Sequence, residues 1–374
     1  MSIEIRKVSN NKELKAFVVF PETLYVDNPY WVPSPIFDEM NTLRKNKNPA
    51  FDFCEGEYWT AWKDGRMVGR VAGIVNRHYI EKWGNKYARF GWLDFIEDFE
   101  VAKALMETVE AWARSKGLEA IQGPLGFTDL DREGLLVEGF EERSTMATIY
   151  NHPYYVDYLD RLGYAKDVDW IEFLLQVPDS IPEKVLRVNE ILSKRSGLQL
   201  YDWKKPKDLI ARFGEQIFGL LDEAYKELYG TVPLSERQVK SYIDQYLGFV
   251  DPRFTKILVD GSGKLAAFAL TIPSLAEALQ KSKGRMFPIG WIRMLRALKK
   301  PVVMDMLLVA VRPEFKSRGV VALLMTALTQ SAIDNGVKYA ESNPELETNI
   351  AVQGLWKDYP KRQHKRRRAY IKKL

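Results

Sequence analysis

Hydrophobic and polar positions alternate along several short stretches of this chain, and each predicts a strand. Ile3–Val8 (IEIRKV) opens the series. Gly56–Asn76 holds two strand-like runs joined at Asp64-Gly65, a dipeptide that predicts a hairpin turn. Tyr87–Asp98 reads as another strand. VAKALMETVEAWARSKG then spaces its apolar residues as a helix and stops at Gly117. A short strand (LEAIQGP), a helix (YYVDYLDRLGY) and a closing strand at Asp169–Val177 follow.

Pro178–Gly197 predicts a charged helix that ends on glycine. The plan then recurs: strand LQLYDW, helix DLIARFGEQIFGLLDEAYKELYG, and a further helix from Ser235, where Ser-Glu-Arg-Gln resembles a capping box. A hairpin about Gly261-Ser262-Gly263, strand VVMDMLLVAV, helix GVVALLMTALTQSAIDNG, strand VKYAES, helix TNIAVQGLWKDY and a final strand over Arg366–Lys373 complete it. The element order repeats without evident residue identity. It predicts an α/β (α+β) protein of two tandem domains, each a mixed central sheet flanked by helices. Their expected bounds are 1–178 and 198–374, with a linker helix at 179–197.

Composition narrows this picture only slightly. The 374 residues exceed one ordinary core and suit two domains. Hydrophobic content of 46% and charged content of 28% are globular values, and a net charge of +5 is mild. The lone Cys54 excludes an intrachain disulfide, and the scattered His78, His152 and His364 offer no metal-ligand spacing, so no resident metal is expected. The N-terminus starts directly on a strand and no apolar run reaches about 18 residues, which together predict a cytoplasmic protein without a transmembrane segment.

The chemistry gathers after VVMDMLLVAV. That strand runs into Arg312-Pro313-Glu314-Phe315-Lys316-Ser317-Arg318-Gly319 and then directly into a helix. The first amides of a helix lack internal partners and sit at the positive end of its dipole. A glycine there lets an oxyanion approach the backbone, and Lys316 and Arg318 add charge. The same pattern also suits a plain strand-to-helix turn with a solvated basic flank.

The segment from Val302 to Glu341 resembles the cofactor-binding segment of the GNAT superfamily of acetyl-CoA-dependent acyltransferases. In that family Val-x-Pro-Glu precedes Arg/Gln-x-x-Gly-x-Gly/Ala at the helix start, and an Asn follows on the next helix. Here Lys316 takes the Arg/Gln place, Gly319 the first glycine, Val321 the Gly/Ala place and Asn349 the Asn place. The Lys and the bulkier Val321 depart from the pattern. The resemblance implies that backbone groups at Val309 and Val311 pair with the pantetheine arm of acetyl-CoA or another acyl-CoA. It implies that Lys316, Ser317, Arg318, Gly319, Val320, Val321 and Ala322 hold the pyrophosphate, with Asn349 nearby. Asp305, where several members carry a base glutamate, and Glu341 are candidate bases. Trp356 stands where the family often has an acid Tyr, which leaves Tyr359, one turn further, as a candidate.

At the equivalent point the first half reads WLDFIEDFE, with no glycine, and Glu97, Asp98 and Glu100 would repel a pyrophosphate. The first domain is therefore expected to be degenerate at the cofactor turn. Tandem halves of this kind occur in N-myristoyltransferases and in Fem-type aminoacyl transferases. Gly123–Lys166 resembles a group of GNAT-like proteins of about this length, and Asp129, Asp131, Tyr150, Asn151, His152 and Tyr155 are candidates for an acceptor pocket.

Two basic stretches remain. GWIRMLRALKK within 289–300 has the pattern of a basic amphipathic helix, suited to peripheral membrane contact or to packing on the protein. KRQHKRRRAY has the charge to contact nucleic acid or the 3′-phosphate of CoA, with Lys361–Lys365 expected as a loop. The expected function is acyl-CoA-dependent N-acyl transfer to a small-molecule, peptide or lipid amine. The alternatives are a non-catalytic binding protein on a GNAT scaffold and a Fem-like transferase using aminoacyl-tRNA.

Overall fold

The computed structural model describes residues 2–357 and 359–374, with Phe249, Ser317 and Arg318 described by backbone alone. The chain forms two compact units, Met1–Ile171 with Ala276–Arg293 and His364–Leu374, and Glu172–Leu275 with Met294–Gln363. In chain order the first unit contains β1 (Glu4–Lys7), α1 (Asn11–Leu24), α2 (Ile36–Thr42), β2 (Cys54–Lys63), β3 (Arg66–Asn76), α3 (Arg77–Trp83) and β4 (Tyr87–Phe95). It continues with α4 (Phe99–Ser115), β5 (Ala120–Gly123), β6 (Leu135–Glu138) and α5 (Tyr154–Arg161), and β7 (Ala165–Gln176) leads out of it. The second unit adds α6 (Glu183–Ser196), β8 (Gln199–Leu200), α7 (Pro206–Tyr225), α8 (Glu236–Tyr246), β9 (Thr255–Val259) and β10 (Leu265–Pro273). After α9 (Ala276–Ser282) and α10 (Gly290–Lys299) come β11 (Val303–Val311), α11 (Val320–Asp334), β12 (Tyr339–Ser342), β13 (Glu345–Leu346), α12 (Ile350–Gln353) and β14 (Lys361–Lys373).

Strand order in the first unit is β1-β2-β3-β4-β5-β14, with β6 also on β14. The amphipathic α4 packs on β3 so closely that a Cβ at Gly69 would fall 2.7 Å from Leu105, and one at Gly73 would fall 2.8 Å from Val109 and Trp112. Glycine is therefore what lets this helix approach the sheet. Arg70, buried on β3, bonds Asp94 at 2.6 Å and the Phe17 carbonyl at 2.7 Å, while Tyr25 donates to the other Asp94 oxygen at 2.8 Å. A buried ion pair with its remaining atoms bonded in this way avoids the penalty of an orphaned charge.

In the second unit the order is β7-β12-β11-β10-β9-β8. The capping box expected at Ser235 is present, with Ser235 and Gln238 bonding each other's backbone amides. Val311, Val320, Leu323, Leu324 and Leu328 share one apolar cluster, and α6 packs on α11 through an Asn189–Thr326 bond of 2.7 Å.

The compact units depart from division at 178 and 197. The linker helix belongs to the second unit, and the final strand joins the first, where Tyr370 is register partner to Gly123 and Arg368 to Leu135. Residues 276–293 also pack on the first unit: Gln280 donates to the carbonyls of Pro29 and Trp31, and Arg285 pairs with Glu22 at 2.7 Å. The basic run is strand from Lys361 onward rather than a loop. Lys365 is buried and donates to the Arg143 carbonyl at 3.0 Å, and Arg366 and Arg368 both bind Asp169. Among the described residues no helix is long and apolar enough to cross a membrane.

Candidate functional site

The site begins where two parallel strands part. β11 and β12 are paired from Val303/Tyr339 to Met306/Ser342 and no further. At that point β11 carries an extra residue, Leu307, against β10, where Thr271 faces Met306 and Leu270 faces Leu308. The Asn343 amide closes the junction on the Met306 carbonyl at 3.0 Å, and the chain then turns to pair β13 with β7. From Leu308 to Val311, β11 thus keeps β10 on one side and has lost β12 on the other. A bulge where a strand pair opens re-aims the strand and frees backbone groups for a ligand. The Val309 carbonyl accepts from the Tyr225 hydroxyl at 3.2 Å.

The freed edge runs into a short 3-10 turn, Pro313–Arg318, and then into Gly319. Gly319 has φ 68°, and as N-cap of α11 it supplies no side-chain bond to the helix start. The first amides of α11 are therefore presented without a capping oxygen, at the positive end of the dipole. A Cβ at Gly319 would fall 2.9 Å from Leu192 of α6. Val321 packs against the apolar cluster of α11, so its bulk is directed at the core, and Lys316 is exposed. The side chains of Ser317 and Arg318 lie outside the described residues. The amide of Ala322 is bonded to the Gly319 carbonyl at 3.0 Å, and Asn349 caps α12, accepting from Val352 at 3.4 Å. The uncapped helix start and freed strand edge fit the pyrophosphate and pantetheine of an acyl-CoA.

At the closed end of the cleft, Asp305 and Glu341 are register partners on adjacent strands, and both are buried. Alternation along the strands sets them on the face opposite Met304, Met306 and Ala340. Those three line a small apolar crevice of about 30 Å³ with Met325, Leu328 and Tyr359. Tyr359 shares a 2.9 Å hydrogen bond with Thr329 there, so it lies across the sheet from the carboxyl pair. A third carboxyl joins the pair. Glu172 of β7 is fully buried, with an oxygen within 4.8 Å of one on Glu341. Sequence reasoning passed over Glu172; its signal was an acid flanked on both sides by apolar residues, Trp170-Ile171 and Phe173-Leu174-Leu175. Glu345 was also missed. It accepts from Trp356 at 2.6 Å, and burial pushes its carboxyl up to about 7 despite that bond, the Ser342 hydroxyl and Lys361. Trp356, at the position of the family's acid Tyr, is itself buried.

The corresponding cleft of the first unit is filled. β4 and β5 pair only as far as Arg89/Gln122, and Leu125 then donates to the Phe90 carbonyl at 2.8 Å. A Cβ at Gly91 would fall 2.5 Å from the Leu125 carbonyl oxygen, so the chain itself occupies the gap. At the start of α4, Asp98 accepts from the Glu100 amide at 3.0 Å and pairs with Lys63 at 2.7 Å. A carboxylate already sits where an anion would bind.

The six residues expected to form an acceptor pocket divide between two places. Asp131, on the loop with the partly buried Asp129, accepts from the Phe127 and Thr128 amides at 2.8 and 3.1 Å, and burial raises its carboxyl to about 6. Tyr150, His152 and Tyr155 gather around Tyr25, and Asn151 lies between the first two in the chain. Asn151 bonds both the amide and the carbonyl of Leu136, and the Tyr155 hydroxyl engages the Phe95 backbone. Tyr150 accepts from Asn28 and donates to the Phe140 carbonyl, and the His152 ring lies 5.0 Å from that of Tyr25. Asp131, Tyr150, Asn151 and Tyr155 thus direct their polar atoms at holding the backbone of the first unit.

A cleft between splayed parallel strands, closing on a glycine turn at a helix start, defines a GNAT-like domain, and the chain has the tandem GNAT-like fold. A tandem GNAT protein from the clavulanic acid biosynthesis pathway matches with a TM-score of 0.57 at 15% identity, covering 100% of this chain and 98% of that one. A GCN5-related N-acetyltransferase from Sphaerobacter thermophilus matches with a TM-score of 0.55 at 12% identity, over 99% and 95%. No protein-family model matches the sequence. Protein YghO of Escherichia coli (strain K12) is 30% identical over 384 residues, covering 99% of this chain and 95% of that protein. The chain belongs to the family of Protein YghO. The bacterial ceramide synthase of Caulobacter vibrioides (strain NA1000 / CB15N) is 25% identical over 383 residues, covering 100% and 98%.

Proposed function

We propose that this protein is an acyl-CoA-dependent N-acyltransferase whose second unit binds the acyl-CoA and whose acceptor is a lipid amine. The observation that carries the reading is the contrast between two helix starts. That of α11 is uncapped and follows a freed strand edge, while that of α4 is capped by Asp98 beside a filled gap. Backbone groups of Leu308–Val311 receive the pantetheine amides, and the amides at Gly319–Val321, ahead of the first intrahelical bond at Ala322, receive the pyrophosphate. The amine attacks the thioester carbonyl, a carboxylate of the Asp305–Glu341 pair takes the amine proton, the C–S bond breaks, and that proton passes to the sulfur so that CoA leaves as the thiol. The relative named bacterial ceramide synthase supports a lipid acceptor, ceramide being the amide of a long-chain amino alcohol.

The test is CoA-thiol release with acetyl-CoA and palmitoyl-CoA in the presence of long-chain amino alcohols. Asp305→Asn and Glu341→Gln are compared with the parent, with circular dichroism to verify folding. Loss of the base lowers kcat by about 10²–10⁴-fold with KM for acyl-CoA little changed. Parent-like turnover in both variants would remove the carboxyl pair from the mechanism, and no release with any amine would refute the activity.

A further inference from the structure

We propose that the segment from Lys281 to Lys300 docks the protein onto an anionic lipid surface. The segment holds seven basic residues and no acid. It also carries the apolar side chains Met286, Phe287, Ile289, Trp291 and Leu295, all exposed, with Phe287 at 80% the most exposed large apolar side chain among the described residues. Lys283, Arg296, Lys299 and Lys300 are exposed too, and none of them pairs with an acid among the described residues.

The apolar tip is built rather than loose. The Trp291 amide donates to the Met286 carbonyl at 2.9 Å, and its indole N–H donates to the Pro288 carbonyl at 3.0 Å. Gly290 is buried in this turn, where a Cβ would fall 1.9 Å from the Arg285 carbonyl oxygen. Behind the tip, Gln280 is anchored on the carbonyls of Pro29 and Trp31, Arg285 on Glu22, and Arg293 on the Lys281 carbonyl. Phe287 is therefore held outward by its own hydrogen-bonded turn.

Charge complementarity selects the occupant. The apolar centre of a protein interface is depleted in lysine. Aromatic tips beside unpaired Lys and Arg suit the boundary of a bilayer, where rings enter the acyl region and cations meet anionic headgroups. This inference is independent of the acyl-transfer reading, because it concerns binding without substrate.

The experiment is sedimentation of the full-length protein with vesicles of phosphatidylcholine alone or with about one-third phosphatidylglycerol, with no acyl-CoA present. The expected result is binding to the anionic vesicles that weakens as salt is raised. Lys299→Gln with Lys300→Gln should weaken it about 30-fold and flatten the salt dependence. Phe287→Ser should weaken it several-fold and keep the salt dependence; at its exposed position, folding is not at stake. Equal binding to both vesicle types overturns the proposal. So does no binding to either, or concentration-dependent self-association lost in Phe287→Ser, which would assign the patch to a protein partner.

Discussion

Replacing Gly319 tests the anion site directly, because backbone strain and charge can be separated there. At φ 68° any residue with a Cβ is strained, by roughly 1–2 kcal/mol. The new Cβ also falls 2.9 Å from the Leu192 methyl groups, the flexible end of a side chain that can shift. Gly319→Gln carries both effects and no charge. Gly319→Glu adds a carboxylate beside the place proposed for the pyrophosphate. Two unit charges about 4 Å apart near a protein surface repel by about 4 kcal/mol, roughly a thousand-fold in affinity. Calorimetric titration with CoA should show Gly319→Gln binding within about tenfold of the parent, Gly319→Glu losing measurable binding, and both unfolding at similar temperatures. Equal affinity in the Glu and Gln variants would refute the reasoning, since no anion could then lie near this helix start.

Two further outcomes follow from the other carboxyl groups. Glu345 has a folded-state value of about 7, above its ordinary 4.5, so between those pH values the native protein holds a proton that the unfolded chain releases. Its contribution is full below pH 4.5 and declines as pH rises to about 7, by up to roughly 3 kcal/mol. Glu345→Gln should flatten that decline in denaturant titrations run from pH 4 to 8, and an unchanged profile would contradict the assignment. Asp98→Ala should lower stability by about 1 kcal/mol through loss of the α4 cap. It should leave CoA affinity at the parent value, and a changed affinity would bring the first unit back into substrate binding.

Much of the fold was legible because local chemistry and tertiary context agree. The Asp64-Gly65 hairpin, the capping box at Ser235 and the glycine turn at 319 depend on residues close in sequence, whose backbone preferences hold in any surroundings. The acidic start of the corresponding helix in the first half was legible for the same reason, since Glu97, Asp98 and Glu100 carry their negative charge whatever the chain around them does. The expected acceptor residues were read less well. A buried Tyr, Asn or Asp looks the same in sequence whether it binds substrate or a backbone amide, and Asn151 and Asp131 bind amides.

The sequence alone determined the period of each element, the repeated order of strands and helices, and the glycine at the mouth of the α11 helix. Only the tertiary structure decided which strands became neighbours. Pairing joins residues far apart in the chain, and register is set by burial rather than by local preference. That is why Glu172 came to lie beside Glu341 and why β11 parted from β12 at Met306. It is also why β14 went to the first unit, where its arginines find Asp169 and its edge finds β5 and β6.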